Sequence, residues 1–202
     1  MKNKKIFFGI ITAVAIAILI LFLILYYKNK KSGNTTINKS EEDIINDILN
    51  MKSYNAKLDI TIKTNKNETK YVVKQRLEEG KAIQEVEEPQ NIAGVVTEYD
   101  GNNLKITNNK LDLETAFENY QYIVENRLWL DSFIEEYNNS NTSKQGSKDN
   151  EIILEVKNNA NPYNVIKKLY ISKETGKPSK MIVQDINQKT LVYILYREID
   201  IS

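Results

Sequence analysis

Glu85, Glu87 and Glu88 crowd one short stretch, and paired carboxylates are the one acid–base arrangement this sequence offers. Such a pair works when burial keeps one carboxyl protonated while its neighbour ionises. These three lie beside Pro89, at what the residue pattern makes a strand end, where water solvates all of them. The 202 residues include no cysteine and no histidine, which excludes thiol or imidazole nucleophile–base pairs and the usual zinc ligand sets. There is no P-loop, dinucleotide fingerprint, calcium loop or Gly-x-Ser-x-Gly elbow. The expectation is a protein with no catalytic residue, metal or cofactor, acting by binding.

Binding directs attention to apolar and aromatic side chains. Leu128, Trp129, Leu130, Phe133, Ile134 and Tyr137 recur at helical spacing between Asn126 and Asn138. Trp129, Phe133 and Tyr137 either line a partner groove or lid, or pack on a sheet as core; the tendency of such stripes favours packing. Arg76 is a second candidate for a partner or lid surface, weighed against a solvated arginine on a wet sheet face.

These residues need a scaffold, and the sequence reads as mainly β with a few helices. Ser40, with Asp43 three residues on, caps a helix whose Ile44, Ile45, Ile48 and Leu49 form one apolar stripe. A strand with strict alternation follows: Tyr54, Ala56, Leu58, Ile60 and Ile62 face one way, and Asn55, Lys57, Asp59, Thr61 and Lys63 the other. Tyr71, Val73 and Leu77 continue the pattern, and a third strand over Lys81–Val86 ends before Pro89. Asp100-Gly101-Asn102-Asn103 is a hairpin turn between two β-prone runs. Asn138–Asn150 is polar and low in complexity, and reads as a surface loop. Strands resume at Ile152, Leu169, Met181 and Leu191. Leu191–Leu195 is apolar on both faces, which predicts a central strand or one partly covered by helices.

Ile6–Tyr27 carries no charge and is long enough, as a helix, to cross a hydrocarbon core of about 30 Å. It exceeds a signal-peptide core and runs on into Tyr-Tyr-Lys-Asn-Lys-Lys without a small-x-small cleavage site, so an uncleaved anchor is expected. Residues 1–31 then form a cytoplasmic stub and transmembrane anchor, 32–39 a polar linker, and 40–202 the folded domain. Lysines flank the anchor on both sides, so charge alone orients it weakly, with the N-terminus inside. The formal charge of +1 hides an asymmetry: without the six flanking lysines, 22 basic residues face 27 acidic ones. A mildly acidic domain is not a nucleic-acid binder.

Three segments resemble the LolA/LolB lipoprotein-carrier superfamily: Tyr71–Arg76 (YVVKQR), Glu98–Asn108 (EYDGNNLKITN) and Leu169–Asp185 (LYISKETGKPSKMIVQD). Within it, Glu118–Tyr137 (ENYQYIVENRLWLDSFIEEY) is similar to the GerS-like germination proteins of clostridia. The resemblance implies a half-open antiparallel β-barrel with covering helices, placed outside the cytoplasm. It implies a non-enzymatic partner of a CwlD-type cortex amidase (an N-acetylmuramoyl-L-alanine amidase), needed for spore cortex modification and germination. In the carriers a basic residue near the position of Arg76 helps hold lid and cargo. The best-known GerS-like protein is a lipoprotein; this chain lacks the cysteine, so its transmembrane helix would replace the lipid. The alternative is a lipid or lipoprotein carrier or sensor, with acyl chains in a cavity lined by Leu58, Ile60, Ile62, Tyr71 and Val73. A permanent anchor argues against a shuttle.

Overall fold

The computed structural model describes residues 39–120, 128–158 and 165–202. The expected stub and anchor, and the linker as far as Asn38, lie outside those residues. Among the described residues no helix is long and apolar enough to cross a membrane.

Ser40 caps a helix, as its sequence predicts. Its hydroxyl accepts from the Asp43 backbone N–H at 3.1 Å, and Asp43 Oδ2 accepts from the Ser40 N–H at 3.4 Å, a reciprocal capping box. Helix α1 (Glu41–Leu49) follows, with Glu41, Glu42 and Asp43 at the positive end of its dipole. Ile44, Ile45 and Ile48 are buried and Leu49 half-buried. Each buried isoleucine contributes roughly 1.5–3 kcal/mol, so docking rather than propensity keeps this nine-residue helix folded. Ser40→Ala is expected to cost about 1 kcal/mol, seen as a lower urea midpoint with an unchanged slope. An unaltered midpoint would mean the helix end is held by something other than this cap.

The described residues contain one antiparallel sheet of eleven strands. These are β1 (Tyr54–Lys63), β2 (Glu68–Glu78), β3 (Lys81–Glu88), β4 (Val96–Tyr99), β5 (Leu104–Asn108), β6 (Leu113–Phe117), β7 (Lys144–Lys148), β8 (Glu151–Asn158), β9 (Val165–Ser172), β10 (Pro178–Gln184) and β11 (Thr190–Ile201). Their order is β6-β5-β4-β3-β2-β1-β11-β10-β9-β8-β7. Every neighbouring pair is consecutive in the chain except β1 and β11, so two meanders meet at one central seam. The chain passes from one outer strand, β6, to the other, β7, by way of helix α2 (Leu130–Asn139).

Alternation decides which face is buried. Tyr54, Ala56, Leu58 and Ile60 of β1 are buried on what we call the inner face, and Ile62 is half-buried. The register carries that face outward through Val73 and Gln75 on β2, and through Ile194 and Tyr196 on β11. It continues through Met181, Leu169 and Leu154 on β10, β9 and β8, all buried. The other face carries most of the sheet's ion pairs, including Lys57 and Lys74 on Glu87, and Lys180 on Glu151. Strand β11 is central, as its apolar run predicts, although Leu195 on its outer face is 38% exposed.

Three elements differ from expectation. The amphipathic helix runs over Leu130–Asn139 instead of starting near Asn126, because Trp129 is extended at φ −99°, ψ 142°; residues 121–127 lie outside the described ones. The polar stretch Asn138–Asn150 is not all loop: Lys144–Lys148 forms β7, paired to β8. Strand β6 was not foreshadowed by any alternation of apolar and polar residues. Among the described residues the outer strands of this single sheet, β6 and β7, do not pair with each other.

Candidate binding surface and the polar latch behind it

The start of α2 is held to the inner face by side chains from three adjacent strands. Ala56 of β1 is in register with Gln75 of β2, which is in register with Gln84 of β3. Gln75 Nε2 donates to Gln84 Oε1 at 2.8 Å and to the Leu128 carbonyl at 3.3 Å. The same Gln84 oxygen accepts from Trp129 Nε1 at 3.2 Å. The Tyr54 hydroxyl lies 3.3 Å from Asp131 Oδ1 and 3.4 Å from Gln75 Oε1, one proton between two acceptors. Residues 128–131 are therefore latched by Tyr54, Gln75 and Gln84. The network satisfies polar groups that burial would otherwise leave without partners.

Trp129 and Phe133 are 1% and 0% exposed, so in this conformation they pack on the sheet instead of presenting surface. The Trp129 ring lies 6.4 Å from that of Tyr99 at 55°, and Phe133 stacks on Tyr137 at 5.9 Å and 27°. Tyr137 is half-buried near the end of α2. Arg76 does not join them. It is exposed on the outer face, because a one-residue step along a strand reverses the side-chain direction. The residue that reaches the helix from this part of β2 is Gln75. Its signal in the sequence was a glutamine at a core-facing position between Val73 and Leu77.

The five expected cavity residues do come together. Leu58 pairs with Val73 and Ile60 with Tyr71, while Ile62 ends the same row. Leu58, Ile60 and Val73 are 0%, 2% and 2% exposed, and Ile62 and Tyr71 are half-buried. An acyl chain would reach the first three only after a rearrangement. A hollow of about 470 Å³ lies elsewhere, at the end of the sheet beyond β3, with Tyr99, Leu104 and Phe117 in its lining.

The glutamate cluster is an outer-face ion-pair site. Glu87 accepts from Lys57 at 2.6 Å and Lys74 at 2.7 Å, and those contacts, Lys57 first, hold its carboxyl below the usual range. Glu85 and Glu88 are exposed. The carboxyl pushed the other way is Asp131, raised by burial even though Tyr54 and backbone N–H groups stabilise its charged form. Burial also pushes the Tyr54 and Tyr196 phenols well up, so neither ionises near neutrality.

Asp131 gives a pH dependence with a definite sign. Its folded value lies above its unfolded one, so its contribution to stability is complete below the ordinary aspartate value and is lost as pH rises through the raised one. Asp131→Asn, which removes the buried charge but keeps an oxygen for Tyr54, should gain on the wild type as pH rises from acid to neutral. Urea midpoints of both proteins across that range provide the check. A wild-type advantage that grows toward neutrality would show that the carboxylate is the favoured form.

The hairpin tip carries the opposite case. Asp100 accepts from Asn103 N at 2.6 Å and Asn102 N at 2.9 Å, which lowers its pKa to about 2, while Gly101 takes the φ of +94° the turn requires.

A model of the family described as sporulation protein YdcC-like matches residues 10–201 of the chain. No curated protein sequence matches it. Among solved structures, an uncharacterized conserved protein from Thermus thermophilus superposes at TM-score 0.52 with 10% identity, over 81% of this chain and 88% of that one. The CwlD amidase from Clostridioides difficile in complex with the GerS lipoprotein gives TM-score 0.51 and 23% identity, over 80% and 96%. The LolA superfamily protein NE2245 from Nitrosomonas europaea gives 0.41 and 11%, over 81% and 94%. At these identities the first two show a shared fold.

Proposed function

The chain belongs to the family of YdcC-like sporulation proteins, and on that premise we propose that it is a membrane-anchored, non-catalytic partner of a CwlD-type cell-wall amidase acting on the spore cortex. The observation that carries the reading is the family match, which spans nearly the whole folded domain. It is supported by the fold shared with GerS, a protein whose solved structure is a complex with such an amidase. The absence of cysteine and histidine and the ion-paired state of Glu87 agree with a role in binding instead of turnover.

Ile6–Tyr27 supplies the anchor in this reading, with the N-terminus inside and the domain outside the cytoplasm. The family match reaches back to residue 10, so most of the apolar run is part of what the family shares. A tether takes the place of the lipid that GerS carries as a lipoprotein, and it holds the domain at the surface where an envelope enzyme works.

Affinity capture of the full chain from sporulating cells tests the proposal. Recovery of a CwlD-type amidase, with the bait in the membrane fraction, is the expected result. A bait that brings down no cell-wall enzyme contradicts the partner, and a bait found free of membranes contradicts the anchor.

A further inference from the structure

The two outer strands of the sheet are built differently. β7 reads Lys-Gln-Gly-Ser-Lys, fully exposed, with a lysine at each end and no apolar side chain. That is the composition by which a sheet edge repels unwanted strands. β6 reads Leu-Glu-Thr-Ala-Phe and is also exposed throughout. Its register with β5 puts Leu113, Thr115 and Phe117 on the inner face, opposite Asn108, Ile106 and Leu104. Leu113 and Phe117 are 44% and 42% exposed, and Leu111, in the turn before the strand, is 67% exposed. The single charge within β6, Glu114, is already paired with Lys105 of its own sheet at 2.9 Å. Among the described residues this edge offers unpaired backbone beside an apolar row, and none of them deters a further strand.

Charge says what kind of strand fits. Asp112 precedes β6 and Glu118 follows it, and neither forms an ion pair among the described residues. They are six residues apart, about 20 Å along an extended chain. We propose that the β6 edge docks an extended segment of the protein partner that carries apolar residues at alternate positions and a lysine or arginine at each end. A second copy of this chain is a poor occupant. Antiparallel pairing of β6 with itself about Thr115 brings Asp112 of each copy against Glu118 of the other, like charges at both ends. The inference rests on reading the chain as a protein-binding module and names the surface that module uses.

The test uses the full chain in detergent and two probes. One is a labelled peptide of about seven residues, lysine at both ends with valine and threonine alternating between them. The other is the CwlD-type amidase of the same organism. Two double variants, Leu113→Lys with Phe117→Lys and Asp112→Lys with Glu118→Lys, alter only exposed side chains, and circular dichroism verifies their folding. Both variants should weaken both probes by at least about tenfold, while Lys144→Ala with Lys148→Ala on β7 changes neither. Peptide binding lost in the variants with no amidase binding by the wild type upholds the β6 site and removes the amidase as its occupant. Amidase binding unchanged in both variants overturns the β6 site and leaves the partnership intact. Failure of the wild type to bind the peptide, or a wild-type dimer that the Leu113→Lys, Phe117→Lys variant dissolves, overturns the site outright.

Discussion

Trp129→Ala is expected to lower the unfolding free energy of the domain by about 3–5 kcal/mol. The side chain is 1% exposed, so its removal deletes nearly all of its burial and leaves a cavity between the sheet and the start of α2. It also breaks the bond from Nε1 to Gln84. Gln84 keeps its bond from Gln75, so the loss is dominated by volume and not by an orphaned acceptor. A domain of this size has about 5–15 kcal/mol in total, so the variant sits near the edge of folding. Trp129→Phe, which keeps most of the volume and loses the bond, should cost only about 1–2 kcal/mol. The chain has one tryptophan, so far-UV circular dichroism in urea, and not fluorescence, must report both variants. A loss below about 1 kcal/mol for Trp129→Ala would falsify the latch as the element that fixes α2 on the sheet.

Glu136→Ala should cost about 3 kcal/mol, by a different mechanism. Lys167 projects from β9 into the core and is 1% exposed, and its Nζ lies 2.7 Å from Glu136 Oε1 on α2. Removing Glu136 takes away the carboxylate that faces a buried ammonium. The Glu136 side chain is itself 25% exposed, and its Oε2 has no hydrogen-bond partner among the described residues. That oxygen is itself buried, so the variant also removes an unsatisfied acceptor, and the expected cost falls at the lower end of the range for breaking a buried pair. The informative comparison is the double change Glu136→Leu with Lys167→Met. Replacing both charges by apolar groups of similar size should recover most of the loss, because the desolvation cost disappears together with the attraction. If the double variant proves less stable than Glu136→Ala, the pair contributes a net attraction that apolar packing cannot replace.

Where this fold was legible, local physics set it. The Ser40–Asp43 box, the alternation of Tyr54–Lys63 and the Asp100-Gly101 turn each depend on residues within a few positions of one another. The central place of β11 was legible because apolar residues on both faces suit an interior strand. The outer strands were not, since β6 and β7 are five residues each and exposed on both faces, so burial imposes no alternation on them. The latch was hidden for another reason. Gln75, Gln84, Tyr54 and Asp131 are brought together across three strands and a helix, and no sequence spacing records that meeting. Arg76 shows how parity governs such readings. One position along β2 separates a side chain that holds α2 from one on the opposite face.

The same parity bears on the binding reading. The large aromatic residues at the start of α2 are occupied in holding the helix down, which leaves recognition to side chains the sheet does not need. A preformed surface of that kind requires little reordering on binding, so affinity follows from contacts instead of folding. Calorimetric titration of the purified full chain with the CwlD-type amidase of its own organism tests this most directly. Saturable binding at micromolar or tighter affinity, with the chain alone inert toward muropeptides, is the result predicted. No heat of association together with muropeptide turnover by the chain by itself would contradict it.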